Sequence, residues 1–256
     1  MRKQKSIGKF FGGISGLILP MPKYRFPAPF QHSSRLTYYA SIFNSIEINR
    51  SFYILPKGKT MTKWSHEVEQ NFKFTFKLWK EITHAKHLKF REQDVVQFIE
   101  SIDHVGDKKG CILIQFPASI NAQYLDQLVK LFNVIQKHNH KTAWRIAVEF
   151  RDITWYAKET YKLLKTYHAA LVLHDKSKGS SPHITTAKDV YVRFHGPGGD
   201  YRGSYPDSFL REYATYIVEW LNIGKSVYVY FNNTMGEAFN NLQKLKEYIA
   251  EEMEMA

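Results

Sequence analysis

Arg145-Ile146-Ala147-Val148-Glu149-Phe150-Arg151 is the stretch on which the fold turns. Successive side chains of a β-strand point to opposite faces. Ile146, Val148 and Phe150 therefore form one apolar set, and Arg145, Ala147, Glu149 and Arg151 form the other. The second set ends in charge at the C-terminal end of the strand.

The same alternation recurs. Ile46 and Ile48 oppose Ser45, Glu47 and Asn49; Phe74 and Phe76 oppose Lys73, Thr75 and Lys77; Ile112 and Ile114 oppose a set ending in Gln115. Further on, Tyr191, Arg193 and His195 form one set, and Tyr228, Tyr230 and Asn232 another. A half-exposed antiparallel sheet also alternates. Here helix-length segments separate the runs, which implies parallel βα units. The expected fold is α/β, a single (β/α)8 TIM-like barrel, with its pocket at the C-terminal ends of the strands. The 256 residues match one such barrel, read as one domain over 1–256.

Composition narrows the class. Hydrophobic residues at 44% and charged residues at 23% are ordinary for a soluble globular chain, which excludes a disordered or fibrous one. The apolar run from Phe10 to Met21 is interrupted by Gly12, Gly13, Gly16 and Pro20 and is too short to span a bilayer. No small-residue cleavage site follows the basic residues 1–5 cleanly, so the expected location is the cytoplasm, with no membrane partner. The single Cys111 has no partner for an internal disulfide and reads as a buried small hydrophobe. The net charge of +12 favours phosphorylated ligands or nucleic acid, although the lysines are scattered over helix surfaces.

In chain order, residues 7–14 read as the first strand, with a glycine-rich turn at Gly12, Gly13, Ser15 and Gly16. Ser33 or Ser34 is a candidate N-cap. The segment from His195 to Tyr205 reads as a loop that covers the site. His84, His87, His138 and His140 read as solvated or capping residues. His174 falls with the apolar set of its strand, under a helix or at the loop, which favours Asp175 as the functional neighbour.

By parity, one polar layer gathers Glu47, Asn49, Lys77, Gln115, Glu149, Arg151, Asp175, Arg193, His195 and Asn232. Three carboxylates among these cations must pair or stay partly wet. One reading is a self-satisfied salt-bridge network without a ligand. Three others are sites. Glu47, Glu149, Asp175 and His195 are candidate ligands for a divalent metal, although no cofactor is required, and Lys77, Arg151 and Arg193 would repel the ion. Alternatively, Lys77, Arg151, Arg193 and His195 hold a phosphate or carboxylate, with Glu149 as general base, Glu47 as partner acid and Asp175 beside them. Thirdly, Glu47 and Glu149 form a glycosidase-type pair. Asn49, Gln115 and Asn232 complete the binding set. Phe52, Tyr53, Trp79, Trp155, Tyr201 and Tyr205 are candidate stacking residues at the mouth for a sugar or a base.

The ordered motifs carry a resemblance. Ser45-Ile46-Glu47-Ile48-Asn49 with Ser51-Phe52-Tyr53, Phe72-Lys73-Phe74 with Lys77 and Ile82-Thr83-His84, and Gln115-Phe116-Pro117 form the first half. Val148-Glu149-Phe150-Arg151 with Trp155, Tyr191-Val192-Arg193-Phe194-His195-Gly196, and Tyr228-Val229-Tyr230-Phe231-Asn232-Asn233 form the second. From about Phe10 to Leu245 the chain resembles the YecE-like family, domain of unknown function 72. The resemblance implies a βα barrel related to the xylose-isomerase and apurinic-endonuclease group, and no established activity. Leu17 stands where that family usually has an aromatic, implying an altered pocket rim. By analogy a metal-dependent phosphodiesterase or isomerase is an alternative, but the histidine cluster of a multi-zinc centre is missing. The expectation is an enzyme with an anion-binding pocket for a phosphorylated, sugar-like or nucleic-acid substrate. The alternative from another class is a non-catalytic nucleic-acid-binding module.

Overall fold

In the computed structural model, which describes residues 7–139, 143–176 and 180–255, eight parallel strands form one sheet. The strands are β1 (Phe10–Ile14), β2 (Ser45–Ile48), β3 (Lys73–Lys77), β4 (Lys109–Gln115), β5 (Arg145–Glu149), β6 (Ala170–His174), β7 (Asp189–Phe194) and β8 (Ser226–Phe231). Each pairs with its sequence neighbour from β2 to β8, and β8 pairs with β1. Between β1 and β2 only one bridge forms, Ser15 to Glu47.

Side chains take over at that seam. Asn44 accepts from the Gly12 N–H at 2.9 Å and donates to the Phe10 carbonyl at 2.8 Å. The Tyr39 hydroxyl accepts from the Ile14 N–H at 2.8 Å and donates to the Ser45 carbonyl at 3.0 Å. Gly12 and Gly13 thus lie within β1 and not in a turn. A Cβ on Gly13 would stand 2.4 Å from the Ser45 carbonyl oxygen, so the closing strand needs glycine there. Gly16, at φ 126°, makes the turn that follows.

The helices are α1 (Arg35–Ala40), α2 (Gly58–His66), α3 (Lys80–Thr83), α4 (Glu92–Asp103), α5 (Leu125–His138), α6 (Lys158–Thr166), α7 (Asp207–Asn222) and α8 (Ala238–Met255). Ser34 is the N-cap of α1, accepting from the Thr37 N–H at 3.0 Å. Among the described residues the β6–β7 connection holds no helix. In α5, Leu128, Leu131, Phe132 and Ile135 recur at helical spacing and are buried. They join Ile112, Ile114, Val148 and Phe150 in the outer core between sheet and helices. Burial of each such side chain contributes about 1.5–3 kcal/mol.

A second core fills the barrel. Phe11, Cys111, Leu113, Ala147, Ala170, Val172, Tyr191, Tyr228 and Tyr230 pack inside it. The Tyr230 hydroxyl shares hydrogen bonds with Ser45 Oγ at 2.6 Å and Thr75 Oγ1 at 2.8 Å, which ties β8 across the barrel to β2 and β3. This packed floor closes the barrel interior beneath the C-terminal ends of the strands. Among the described residues no helix is long and apolar enough to cross a membrane. His140 and residues 1–5, and the centre of the loop after β6, lie outside the described residues.

Candidate functional site

Above the tyrosine floor, alternation places Glu47, Glu149 and Arg193 at one level of the barrel. All three are fully buried or nearly so. Arg193 donates to Glu47 through Nε at 3.0 Å and Nη2 at 2.7 Å, and to Glu149 through Nη1 at 2.7 Å. Glu47 also accepts from Ser15 Oγ at 2.6 Å and from the Tyr191 hydroxyl at 2.5 Å. Its two oxygens thereby accept four hydrogen bonds, close to the capacity of a carboxylate.

Glu149 reaches further up the barrel, where Arg151 pairs with its other oxygen. Burial on its own would raise the Glu149 pKa, but Arg193 and Arg151 outweigh it and hold the carboxyl well below the usual range. Such a carboxylate is a weak proton acceptor near neutral pH. The roles expected of Glu149 as base and Glu47 as acid therefore meet two anchored carboxylates.

His195 is fully buried. Its Nε2 faces Arg151 Nη2 at 3.1 Å and Arg193 Nη1 at 3.4 Å, both donors, so Nε2 accepts and the proton sits on Nδ1. Nδ1 lies 3.4 Å from Asp175 Oδ1. Burial lowers the His195 pKa, partly offset by Asp175, and the ring is neutral. Asp175 itself accepts from the His195 N–H at 2.7 Å and from the Tyr205 hydroxyl. Asp175 and Tyr205 thus fasten the loop after β7, and Tyr205 is buried, away from the mouth.

The pocket opens above this network. It is a cavity of about 180 Å³ lined by Asn49, Tyr53, Lys77, Gln115, Arg151, Arg193, Tyr201 and Asn232. All eight belong to the binding set expected from alternation and loop position. Lys77 is not part of the ion pairs at the strand ends. Its Nζ lies over the Phe52 ring, 4.2 Å from the centroid. Burial first, then Arg193, lowers its pKa to about 8. Two polar atoms at the pocket, Arg151 Nη1 and Asn49 Oδ1, are buried without a protein partner among the described residues. Tyr201 is held with φ 71° and receives Lys176 Nζ on its hydroxyl at 3.2 Å, so the loop after β7 does place one aromatic over the site.

Two further site expectations change. Trp155 lies in the outer core, fully buried, stacked on Phe150 at 4.6 Å and donating to the Ile120 carbonyl at 2.7 Å; it does not reach the pocket. His174 continues the interior set of Ala170 and Val172, and its ring centroid is 5.8 Å from that of His195. It donates to, or accepts from, the Tyr156 hydroxyl at 3.1 Å. His84 is exposed, as a solvated residue would be, and its ring meets Phe52 edge-on at 4.8 Å, which places it at the rim. Its place in the Ile82-Thr83-His84 run just beyond the β3 end is the sequence signal for it.

The metal reading meets an obstacle. The Arg193 guanidinium fills the space between Glu47 and Glu149, within 3.0 Å of both. Among the described residues, no group of three or more His, Cys, Asp or Glu side chains is arranged to hold an ion. The donor set does not fit a divalent cation while Arg193 stays in place.

Fold and site together define a parallel βα-barrel protein with a polar, cation-rich pocket at the strand ends. The family model described as protein of unknown function DUF72 matches residues 20–256, and the chain belongs to that family. It is 24% identical to the UPF0759 protein YunF of Bacillus subtilis, over 88% of this chain and 89% of that one. It is 29% identical to the UPF0759 protein YecE of Escherichia coli over 90 residues, 35% of this chain, and so spans about a third of that relative's length (33%). A DUF72 crystal structure from Thermotoga maritima superposes with a TM-score of 0.75 at 25% identity, covering 94% of this chain and 99% of that one. A D-psicose 3-epimerase superposes at 0.55 with 11% identity, over 96% of this chain and 97% of that one, a likeness of fold alone.

Proposed function

We propose that the strand-end pocket is the substrate site of an enzyme acting on a small phosphorylated or otherwise anionic, sugar-like molecule. The observation that carries this is Arg151, which lines the pocket and whose Nη1 is buried without a protein partner among the described residues. An unsatisfied buried donor costs about 1–3 kcal/mol, which an anionic oxygen would recover. The pocket lining agrees: Lys77, Arg151 and Arg193 are cationic, and none of the eight lining side chains is a carboxylate.

In this reading Glu47 and Glu149 position the two arginines and do not themselves transfer protons. Arg193 is spent on both carboxylates; Arg151 and Lys77 face the ligand, and Asn49, Gln115 and Asn232 add neutral donors and acceptors. The cavity of about 180 Å³ lies below the roughly 300 Å³ at which drug-sized sites begin, so it favours a small ligand over a polymer.

Calorimetric titration of inorganic phosphate tests the reading. Binding should weaken as salt rises, and Lys77→Met should weaken it by about tenfold, ~1.4 kcal/mol. Absence of phosphate and carboxylate binding to the wild-type protein at low salt would end this reading. Tight binding of a single-stranded oligonucleotide that Lys77→Met leaves unchanged would move the function to the basic surface instead.

A further inference from the structure

We infer that Lys77 is a nucleophilic amine that forms an imine with a small aldehyde or ketone bearing a phosphate or carboxylate group. The inference rests on the anion-binding reading of the same pocket and names its substrate class.

The geometry around Lys77 is that of an amine kept available. Glu47 and Glu149, the carboxylates whose charge reaches Lys77, are already bonded to Arg193. Lys77 Nζ lies instead over the Phe52 face at 4.2 Å, in a pocket it shares with the carboxamides of Asn49, Gln115 and Asn232 and with Arg151 and Arg193. Gln115 Nε2 donates to the Phe116 carbonyl at 3.1 Å, which fixes the amide plane. A lysine in a pocket shared with other cations, and partly out of water, loses its proton more readily than a surface lysine. Burial and Arg193 act in this direction here, while Glu149 and Glu47 oppose them.

The same pocket supplies a place for the rest of such a molecule. Arg151 Nη1 would take an oxygen of the anionic group, which fixes the distance from that group to the carbonyl. Asn49 Oδ1, buried and without a protein partner, is an acceptor for an N–H or O–H at the reacting centre. Tyr201 lines the same pocket.

The step balances without an oxidant or reductant. The neutral Nζ gives its electron pair to the carbonyl carbon, and the C–O π pair moves to oxygen, which takes a proton from solvent. Nitrogen then loses a proton, leaving a carbinolamine. Its hydroxyl takes a proton and leaves as water as the nitrogen pair forms the C=N bond. The sum is amine plus carbonyl plus one proton, giving protonated imine plus water.

The test uses the wild-type full chain at neutral pH with glycolaldehyde phosphate as probe and cyanoborohydride to trap imines as secondary amines. Peptide mass spectrometry then reads the adduct at every lysine. The expected result is at least about tenfold more adduct on Lys77 than on the median lysine, from its larger free-amine fraction, with most of the excess lost when inorganic phosphate is added. Lys77→Arg, which keeps the positive charge, removes the selective adduct. An even spread over the lysines while phosphate still binds calorimetrically would overturn the nucleophile and leave the anion site standing. Selective Lys77 adduct from glycolaldehyde and its phosphate alike, unaffected by phosphate, would overturn the substrate class and the anion-site reading together.

Discussion

Arg193 forks onto Glu47, with Nε at 3.0 Å and Nη2 at 2.7 Å from its two oxygens, in the fully buried interior of the barrel. This pair decides which charges remain for a ligand. It consumes one carboxylate and most of one guanidinium, and leaves Arg151 and Lys77 facing the cavity.

Breaking one side of the pair strands the other. Glu47→Gln should destabilise the fold by up to about 3–5 kcal/mol, because the buried Arg193 guanidinium loses one of its two carboxylate partners and keeps only Glu149. In a double-mutant cycle, Glu47→Leu with Arg193→Met should cost clearly less than the sum of the single changes. Denaturant unfolding of the four proteins measures it; simple additivity would show that the pair contributes no coupling.

A second expectation concerns pH. Burial lowers the His174 pKa to about 4, against an unfolded value of about 6.5. A depressed folded pKa means that the unfolded chain binds more protons between these values, so stability is full above about 6.5 and falls as pH drops toward 4. His174→Gln should flatten that part of the stability profile. Glu149, also held low in the folded state, acts below about 4.3, where the unfolded carboxyl takes up its proton. Glu149→Gln should therefore remove part of the acid sensitivity below pH 4. Unfolding free energies measured from pH 3 to 8 separate the two; an unchanged slope from pH 6.5 to 4 in His174→Gln would contradict the buried neutral ring.

The seam between β1 and β2 gives a third. Tyr39→Phe removes the hydroxyl that serves both the Ile14 N–H and the Ser45 carbonyl. Two buried backbone groups lose their partner, and stability should fall by about 1–3 kcal/mol. Tyr24→Phe, on an exposed ring, should change it by less than about 0.5 kcal/mol. Equal effects in urea unfolding would mean that the seam does not depend on Tyr39.

How far the sequence carried the reader is visible in particular residues. Alternation in Arg145 to Arg151 and its counterparts exposed the strands, the barrel and six of the eight pocket-lining side chains, because period-two patterning is a local property; Tyr53 and Tyr201 came from their loop positions. What escaped it was set by packing between distant segments. Ala170 and Val172 look like an ordinary core face, yet they are the small residues that fit inside the barrel, so His174 points inward with them. Trp155 follows a polar strand end, but a one-turn helix, Ile153–Trp155, folds it back under Phe116 and Phe150. Gly12 and Gly13 resemble a turn and instead lie within β1, Gly13 at the close approach that brings β1 to β2. The arginine between Glu47 and Glu149 was legible as a charge at the right level, but not as the group that occupies the would-be metal position.

The central claim, an anion site at the strand ends, is tested most directly by a crystal structure of the wild-type protein grown with tungstate, whose anomalous signal locates a phosphate-like anion. The account predicts a peak within hydrogen-bond distance of Arg151 Nη1 and Lys77 Nζ, with Arg193 still bound to Glu47 and Glu149. Tungstate on surface lysines alone, with the strand-end pocket free of it at a concentration that fills other sites, would contradict it.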